Sequence, residues 1–314
     1  MRTLIVVSGG DAPGINVALA QFVQDTQQSE GEAWGAIGGL PALVQGQWRA
    51  LSPADLWPYV GLAGSILPSS REPILRDESA QAQARRLLRE RGVDSVLLFG
   101  GDGTLRYVLP LLLSWGLPCV AIPTTIDNDV PDTDYTLGFD SACNYAYQAV
   151  DGVLATAHAL GGRIFMLETL GGPTGYLALA VAHGAGAHAV LLPEYAYEQD
   201  WLAARLRAAA QAQGFALLVL SEGVAEARTL ADTLAQRVGM RVRDVRLGHA
   251  QRGATPSHRD RTFARQAARL AHQAVRAGQS GIVVQRGAGL ELVASLSGQR
   301  PAPDRALYDQ INGL

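Results

Sequence analysis

Two carboxylates two residues apart, Asp127 and Asp129, lie in Pro123-Thr124-Thr125-Ile126-Asp127-Asn128-Asp129, directly after the apolar run Cys119-Val120-Ala121-Ile122. Carboxylates so placed can do general acid–base work. In an open parallel α/β sheet, ligands collect outside the carboxyl ends of the strands, so a polar loop leaving a buried strand is a candidate reaction centre. Asp and Asn also serve ordinary turns. A second loop of the same kind, Phe99-Gly100-Gly101-Asp102-Gly103-Thr104, ends the preceding strand-like run Ser95-Val96-Leu97-Leu98 and favours the functional reading. A third, Ser8-Gly9-Gly10-Asp11-Ala12-Pro13-Gly14-Ile15-Asn16, follows the strand pattern Leu4–Val7 and opens a helix-like segment through Gln24. Glycines let a backbone approach a phosphate closely, and a helix N-terminus adds free N–H groups and a positive dipole.

The chain that must position these loops has 314 residues, 48% of them apolar and 18% charged, enough for a large core and two domains. A formal charge of −3 gives no footprint for nucleic acid. The sequence offers no membrane span: the nearest candidate, Leu105 to Pro123, is broken by Arg106, Pro110, Gly116 and Pro118. The N-terminus enters a strand pattern at once, without the features of a signal peptide, so the expected location is the cytoplasm. Cys119 and Cys143 are the only cysteines and read as inert thiols, not as a disulfide or a metal site. Lysine is absent, and all 26 basic residues are arginine. That excludes a Walker A loop and Schiff-base chemistry. Phosphate must be held by arginine, backbone N–H groups, helix N-termini or a metal ion.

Strands alternate with helices: strand 95–99, helix 104–115, strand 119–122, helix 139–157 and strand 164–167, with an Arg- and Ala-rich helix at 78–91 before them. Such alternation implies a parallel, doubly wound sheet. Residues 35–76 read as short strands and loops, with Ser69, Ser70 and Arg71 prominent. The pattern restarts at Gly171-Gly172-Pro173-Thr174-Gly175 and makes a second α/β unit with strands at 189–192 and 216–220. A dense basic loop is expected from Arg241 through Arg243, Arg246, His249 and Arg252, and reads as an anion site. The long helix from Ser257 to Ala277 carries Asp260 and Arg261, expected to form an ion pair, and two short strands close the chain at 280–284 and 291–296.

These residues resemble the bacterial 6-phosphofructokinase family over about residues 3–300. The matches are Ser8–Gly14, Gly100–Thr104, Thr125–Asp129, Glu222 and Leu247-Gly248-His249-Ala250-Gln251-Arg252-Gly253. The resemblance implies two doubly wound parallel-sheet α/β domains with the active site in the cleft between them. The larger, 1–138 plus 251–300, would bind nucleotide, and the smaller, 139–250 plus 301–314, sugar phosphate. Asp127 would be the base on the sugar 1-hydroxyl, with Thr125 and Asp129 beside it, and Asp102 would hold Mg²⁺. Gly10, Arg71, Gly101, Gly103 and Thr104 would line the ATP site. Leu170, Gly171, Gly172, Glu222, His249 and Arg252 would face fructose 6-phosphate. Arg163 and Arg243 would reach its 6-phosphate from a neighbouring subunit of a homotetramer. The implied role is the fructose 6-phosphate kinase step of glycolysis.

The departures matter too. Where the family usually has Met-Gly-Arg, this chain has Leu170-Gly171-Gly172, which resembles the regulatory halves of the duplicated eukaryotic enzymes. Those halves lose the paired aspartates that this chain keeps. The expectation is a simple loss of one arginine contact, so that Gly172→Arg should raise kcat/KM roughly 10- to 100-fold, the worth of a charge-assisted hydrogen bond. Arginines such as Arg106, Arg163 or one from the mobile loops are the candidates to compensate. Ala20 and Gln24 replace effector-binding arginines of the family. Pyrophosphate-using relatives carry an aspartate at the position of Gly103 and a lysine at that of Thr124, so Gly103 favours ATP. A pyrophosphate-dependent phosphofructokinase and a catalytically silent sugar-phosphate-binding regulator are the alternatives.

Overall fold

Residues Met1–Leu314 are all described by the computed structural model. In chain order they form β1 (Arg2–Val7), α1 (Ile15–Gln28), β2 (Glu32–Ala36), α2 (Leu40–Gln45), β3 (Trp48–Leu51), α3 (Pro53–Leu56), α4 (Glu78–Glu90), β4 (Ser95–Gly100), α5 (Asp102–Ser114) and β5 (Cys119–Pro123). Then come α6 (Phe139–Ala159), β6 (Arg163–Thr169), α7 (Tyr176–Ala185), β7 (Ala189–Leu191), α8 (Gln199–Gln213), β8 (Phe215–Ser221), α9 (Ala227–Val238) and β9 (Arg241–Arg246). The chain ends with α10 (His258–Arg276), β10 (Gly281–Arg286), β11 (Gly289–Val293) and α11 (Arg305–Asn312). Two units result: Met1–Ser141 with Thr255–Arg300, and Ala142–Ala254 with Pro301–Leu314.

The larger unit is built on a seven-stranded sheet in the order β11-β10-β5-β4-β1-β2-β3. Its interior strands β10, β5, β4, β1 and β2 run parallel, while the edge strands β3 and β11 are antiparallel additions. β4 and β5 are buried along their whole length, so they appear in the sequence as unbroken apolar runs, as strands covered on both faces do. On one face Leu4, Val6, Val96, Leu98 and Ala121 pack with residues of α2, α4 and α5. On the other, α1 and α10 lie together, and α10 crosses β4 and β5. The strand order turns around between β1 and β4, which makes the carboxyl end of that pair the switch point where such sheets bind ligands.

The smaller unit carries a four-stranded parallel sheet, β7-β8-β6-β9. Ile164, Met166, Leu218 and Leu220 of its strands pack with α8 and α9. α11 guards the β7 edge. The Asn312 side chain accepts the Val190 N–H at 2.9 Å and donates to the Val190 carbonyl at 3.0 Å, as a neighbouring strand would.

Four local expectations change. Residues 35–76 include the helices α2 and α3 as well as strands. Arg241, Arg243 and Arg246 lie not in a loop but on β9, an edge strand whose outward positions tolerate charge. The C-terminal helix α11 has no counterpart in the sequence reading. Asp260 does not pair with Arg261, whose Nε donates to the Pro256 carbonyl at 2.8 Å; the Asp260 carboxylate points inward instead.

Candidate active site

Register decides which loops of the larger unit meet. Val7 pairs with Phe99, and Gly100 with Pro123, so β1, β4 and β5 end level and their loops leave one edge together. Ser8 donates its N–H to the Phe99 carbonyl at 2.9 Å, and its hydroxyl lies 3.1 Å from that of Thr104. Ser69 donates to the Gly9 carbonyl at 2.9 Å, and the Gly9 N–H donates to the Ser70 carbonyl at 3.1 Å, which brings exposed Arg71 beside the glycine turn. Thr124 donates its N–H to the Gly100 carbonyl at 2.9 Å. A Cβ built on Gly101 would lie 3.8 Å from that of Thr125, so the Asp102 and Asp127 loops are neighbours. Gly10, Arg71, Gly101, Asp102, Gly103, Thr104, Thr125, Asp127 and Asp129 thus lie on loops along one sheet edge.

The 123–129 loop is braced from within. The Asp127 N–H donates to the Thr125 hydroxyl at 3.1 Å. Thr136 donates to the Thr125 carbonyl at 2.7 Å and to the Asn128 side-chain oxygen at 3.2 Å. Asn128 takes a left-handed φ of 52°, a conformation that short polar side chains enter more readily than others. These bonds leave Asp127 and Asp129 half-buried, neither sunk in the core nor fully solvated.

Asp102 opens α5, where the helix dipole favours anions. Its carboxylate oxygens lie 2.7 and 2.9 Å from Nε of Arg106, and both side chains keep about a third of their exposure. No group of three or more His, Cys, Asp or Glu side chains is placed to cage a metal ion. A single carboxylate at a phosphate-binding edge suits Mg²⁺, which is held by one or two carboxylates together with substrate phosphates and waters. The space beyond Gly103 is open, with no atom within 4 Å of an added Cβ.

The smaller unit repeats the principle. Thr169 pairs with Ser221 and Glu168 with Arg246, so β6, β8 and β9 end level and send out the loops bearing Gly171 and Gly172, Glu222, and His249 with Arg252. Gly172 donates its N–H to the Glu222 carboxylate at 3.0 Å. Gln251, fully buried, accepts the Leu170 N–H at 2.9 Å and donates to the Ala142 carbonyl at 3.2 Å. It binds the Leu170 loop to the His249–Arg252 turn, a task its position within the sequence motif did not reveal. Glu168 lies beneath them; burial pushes its carboxyl pKa up, against the pull of Arg246 at 3.9 Å.

Arg163 and Arg243 are not brought to this edge. Arg163 begins β6, and the six steps to Thr169 span roughly 20 Å at ~3.3 Å each. Arg243 is level with Phe165, two residues in. Gly172 has φ 57° and Gly171 φ 140°, and a Cβ on Gly171 would lie 2.6 Å from the Thr174 carbonyl oxygen. The turn is therefore built around glycine, and an arginine at 172 would have to take a left-handed backbone. This backbone weighs against a simple missing contact. Nor is Arg106 a ready substitute, since its guanidinium holds Asp102 and donates to the Gly298 carbonyl.

The fold agrees with the comparisons to known proteins. The family model described as Phosphofructokinase matches residues 2–277, and the chain belongs to that family. It is 35% identical over 268 residues to the ATP-dependent 6-phosphofructokinase of Lysinibacillus sphaericus, covering 84% of this chain and 83% of that one. The phosphofructokinase structure from Saccharomyces cerevisiae superposes with a TM-score of 0.84 at 24% identity, over 93% of this chain; the alignment spans 44% of the yeast chain. The pyrophosphate-dependent phosphofructokinase of Nitrosospira multiformis gives a TM-score of 0.85 at 18% identity, over 97% and 86% of the two chains. The two structures speak for the fold alone. No helix is long and apolar enough to cross a membrane.

Proposed function

We propose that this protein transfers the γ-phosphoryl group of ATP to the 1-hydroxyl of fructose 6-phosphate. The observation that carries the reading is the level exit of three loops from one sheet edge, with Thr125 and Asp127 beside the Asp102 turn. The larger unit supplies the donor site and the base, and the smaller unit the sugar-phosphate contacts. A primary alcohol is a poor nucleophile at neutral pH. Asp127 accepts its proton as bonding to phosphorus develops, while Thr125 and Asp129 shape the loop around it. The N-terminus of α5 and the N–H groups of Gly101, Gly103 and Thr104 receive the donor's phosphates. Asp102 would hold Mg²⁺, which would supply positive charge against the donor's phosphates.

The open space at Gly103 supports ATP over pyrophosphate, because it leaves room for a phosphate nearer the base-sugar end of the donor. In the smaller unit Glu222, His249, Arg252 and the backbone of Leu170–Gly172 bind fructose 6-phosphate. Arg163 and Arg243 face a second subunit's substrate in a homotetramer, in keeping with their distance from their own loop edge. The test is the initial rate of purified protein with fructose 6-phosphate and Mg²⁺, given either ATP or pyrophosphate. Turnover with ATP alone is expected. Turnover with pyrophosphate alone would reassign the donor, and none with either would leave a sugar-phosphate-binding regulator.

A further inference from the structure

Asp260 is the one fully buried carboxylate. It lies on the first turn of α10, and four donors from a distant segment converge on it. Oδ1 accepts the Tyr135 hydroxyl at 2.6 Å and the Gly138 N–H at 2.7 Å. Oδ2 accepts the Ser141 N–H at 2.9 Å and the Ser141 hydroxyl. Gly138 immediately precedes α6, and Ser141 is its third residue. The carboxylate therefore caps the start of α6 from 119 to 122 residues away, doing across the fold what a capping side chain does locally.

What it caps is the return limb of the 123–129 loop. The Leu137 N–H donates to the Pro123 carbonyl at 3.1 Å and closes the loop at its base, directly before the capped glycine. Packing there leaves no slack. A Cβ on Gly138 would lie 2.7 Å from that of Ala12 and 3.2 Å from the Ile126 side chain. A Cβ on Gly14 would lie 2.6 Å from Leu137 and 3.6 Å from the Asp260 Cβ. The first glycine-rich turn, the Asp127 loop and the start of α6 thus meet over one carboxylate. Tyr135 is locked in turn by edge contacts with Phe139 and Phe263 and by the Arg259 guanidinium 4.3 Å from its ring centroid. Burial pushes the Asp260 carboxyl pKa up, against the pull of its four hydrogen bonds.

We infer that Asp260 is a positioning residue: it fixes the 123–138 loop, and with it Asp127, relative to the glycine-rich turns that hold the donor. The inference rests on the proposed role of Asp127. A displacement of about 1 Å in a reacting group can cost about 100-fold in rate without changing what binds.

Asp260→Asn keeps the shape but turns one acceptor into a donor that faces N–H and O–H groups. Its kcat should fall by about 10- to 100-fold, the range for a misplaced reacting group, with both KM values within about twofold of wild type. Hydrogen exchange should accelerate in peptides covering 124–141 and stay unchanged in β4 and β5. Tyr135→Phe and Ser141→Ala each remove one donor and should give smaller falls of the same kind, which keeps the test decisive if the asparagine variant misfolds. Asp127→Asn is measured alongside. If it retains wild-type activity while the Asp260 variants lose theirs and loosen the loop, the base assignment fails and the positioning role stands. A kcat within twofold of wild type in all three variants, or exchange that rises equally across both units, would overturn the role of Asp260.

Discussion

The two loop edges of this molecule are held in different ways. In the larger unit, side chains from remote segments stitch three loops together: Thr136 to Thr125, Ser69 to Gly9, Ser8 to Thr104, and Asp260 to the start of α6. In the smaller unit, the turn at 170–175 is shaped by glycines at positive φ and tied at its backbone by Gln251, Glu222, Ser221 and Glu194. Proton transfer needs a reacting group within hydrogen-bond reach, so the edge that carries Asp127 has little freedom to drift. A sugar phosphate can be held by several exchangeable contacts, and an edge built on backbone can change its side chains and still bind. The arginine absent at 172 belongs to this second kind of edge.

The contrast breaks most sharply at Asp127. Asp127→Asn should lower kcat by about 10²–10⁴-fold, the usual worth of a general base, with the dissociation constant of fructose 6-phosphate little changed. Steady-state kinetics with a separate binding titration checks this; a rate within threefold of wild type would remove the base from the larger unit. A milder effect is expected at the other edge. Gly172→Arg meets a left-handed backbone, which costs a side-chain-bearing residue roughly 1–2 kcal/mol, so kcat/KM for fructose 6-phosphate should fall several-fold and not rise. An increase would mean that the turn relaxes easily and that only a guanidinium is missing.

The smallest effect lies away from both edges, at His272 between α10 and α1. Its Nε2 is 3.1 Å from the Ser29 hydroxyl, its ring meets Phe22 edge-on, and Asp25 and Arg276 are the charges that act on it. Burial lowers its pKa below the ordinary value of 6.5, Asp25 opposes this and Arg276 adds to it. Between those two pKa values the unfolded chain binds a proton that the folded one refuses. The contribution to stability is whole above pH 6.5 and is lost as the pH falls towards the folded pKa. Urea titrations at a series of pH values should show this decline in wild type and a flatter profile in His272→Gln; parallel profiles would show that another group titrates there.

The parallel interior of both sheets was legible because strands buried on both faces read as apolar runs between glycine-rich turns. The three loops of the larger unit were legible for the same reason, since each follows such a run. β9 was not: an edge strand alternating Arg with Val meets solvent along most of its length and looks like a basic loop. Asp260 was hidden by its local context. Ser257 accepts its N–H at 3.2 Å, so the residue reads as part of an ordinary helix start, and only the fold shows its carboxylate turned towards α6. The separation of Arg163 and Arg243 from Glu222 follows from strand register, which a list of motifs does not contain.

The most direct test of the account is a chase of the phosphoryl group itself. ATP labelled at the γ-phosphate is incubated with the protein, Mg²⁺ and fructose 6-phosphate, and the sugar product is examined by phosphorus NMR. The account predicts that the label appears in the 1-phosphate of fructose 1,6-bisphosphate in wild type and reaches the sugar about 10²–10⁴-fold more slowly in Asp127→Asn. Label that remains in ATP, passes only to water, or reaches the sugar equally well in the variant would contradict it.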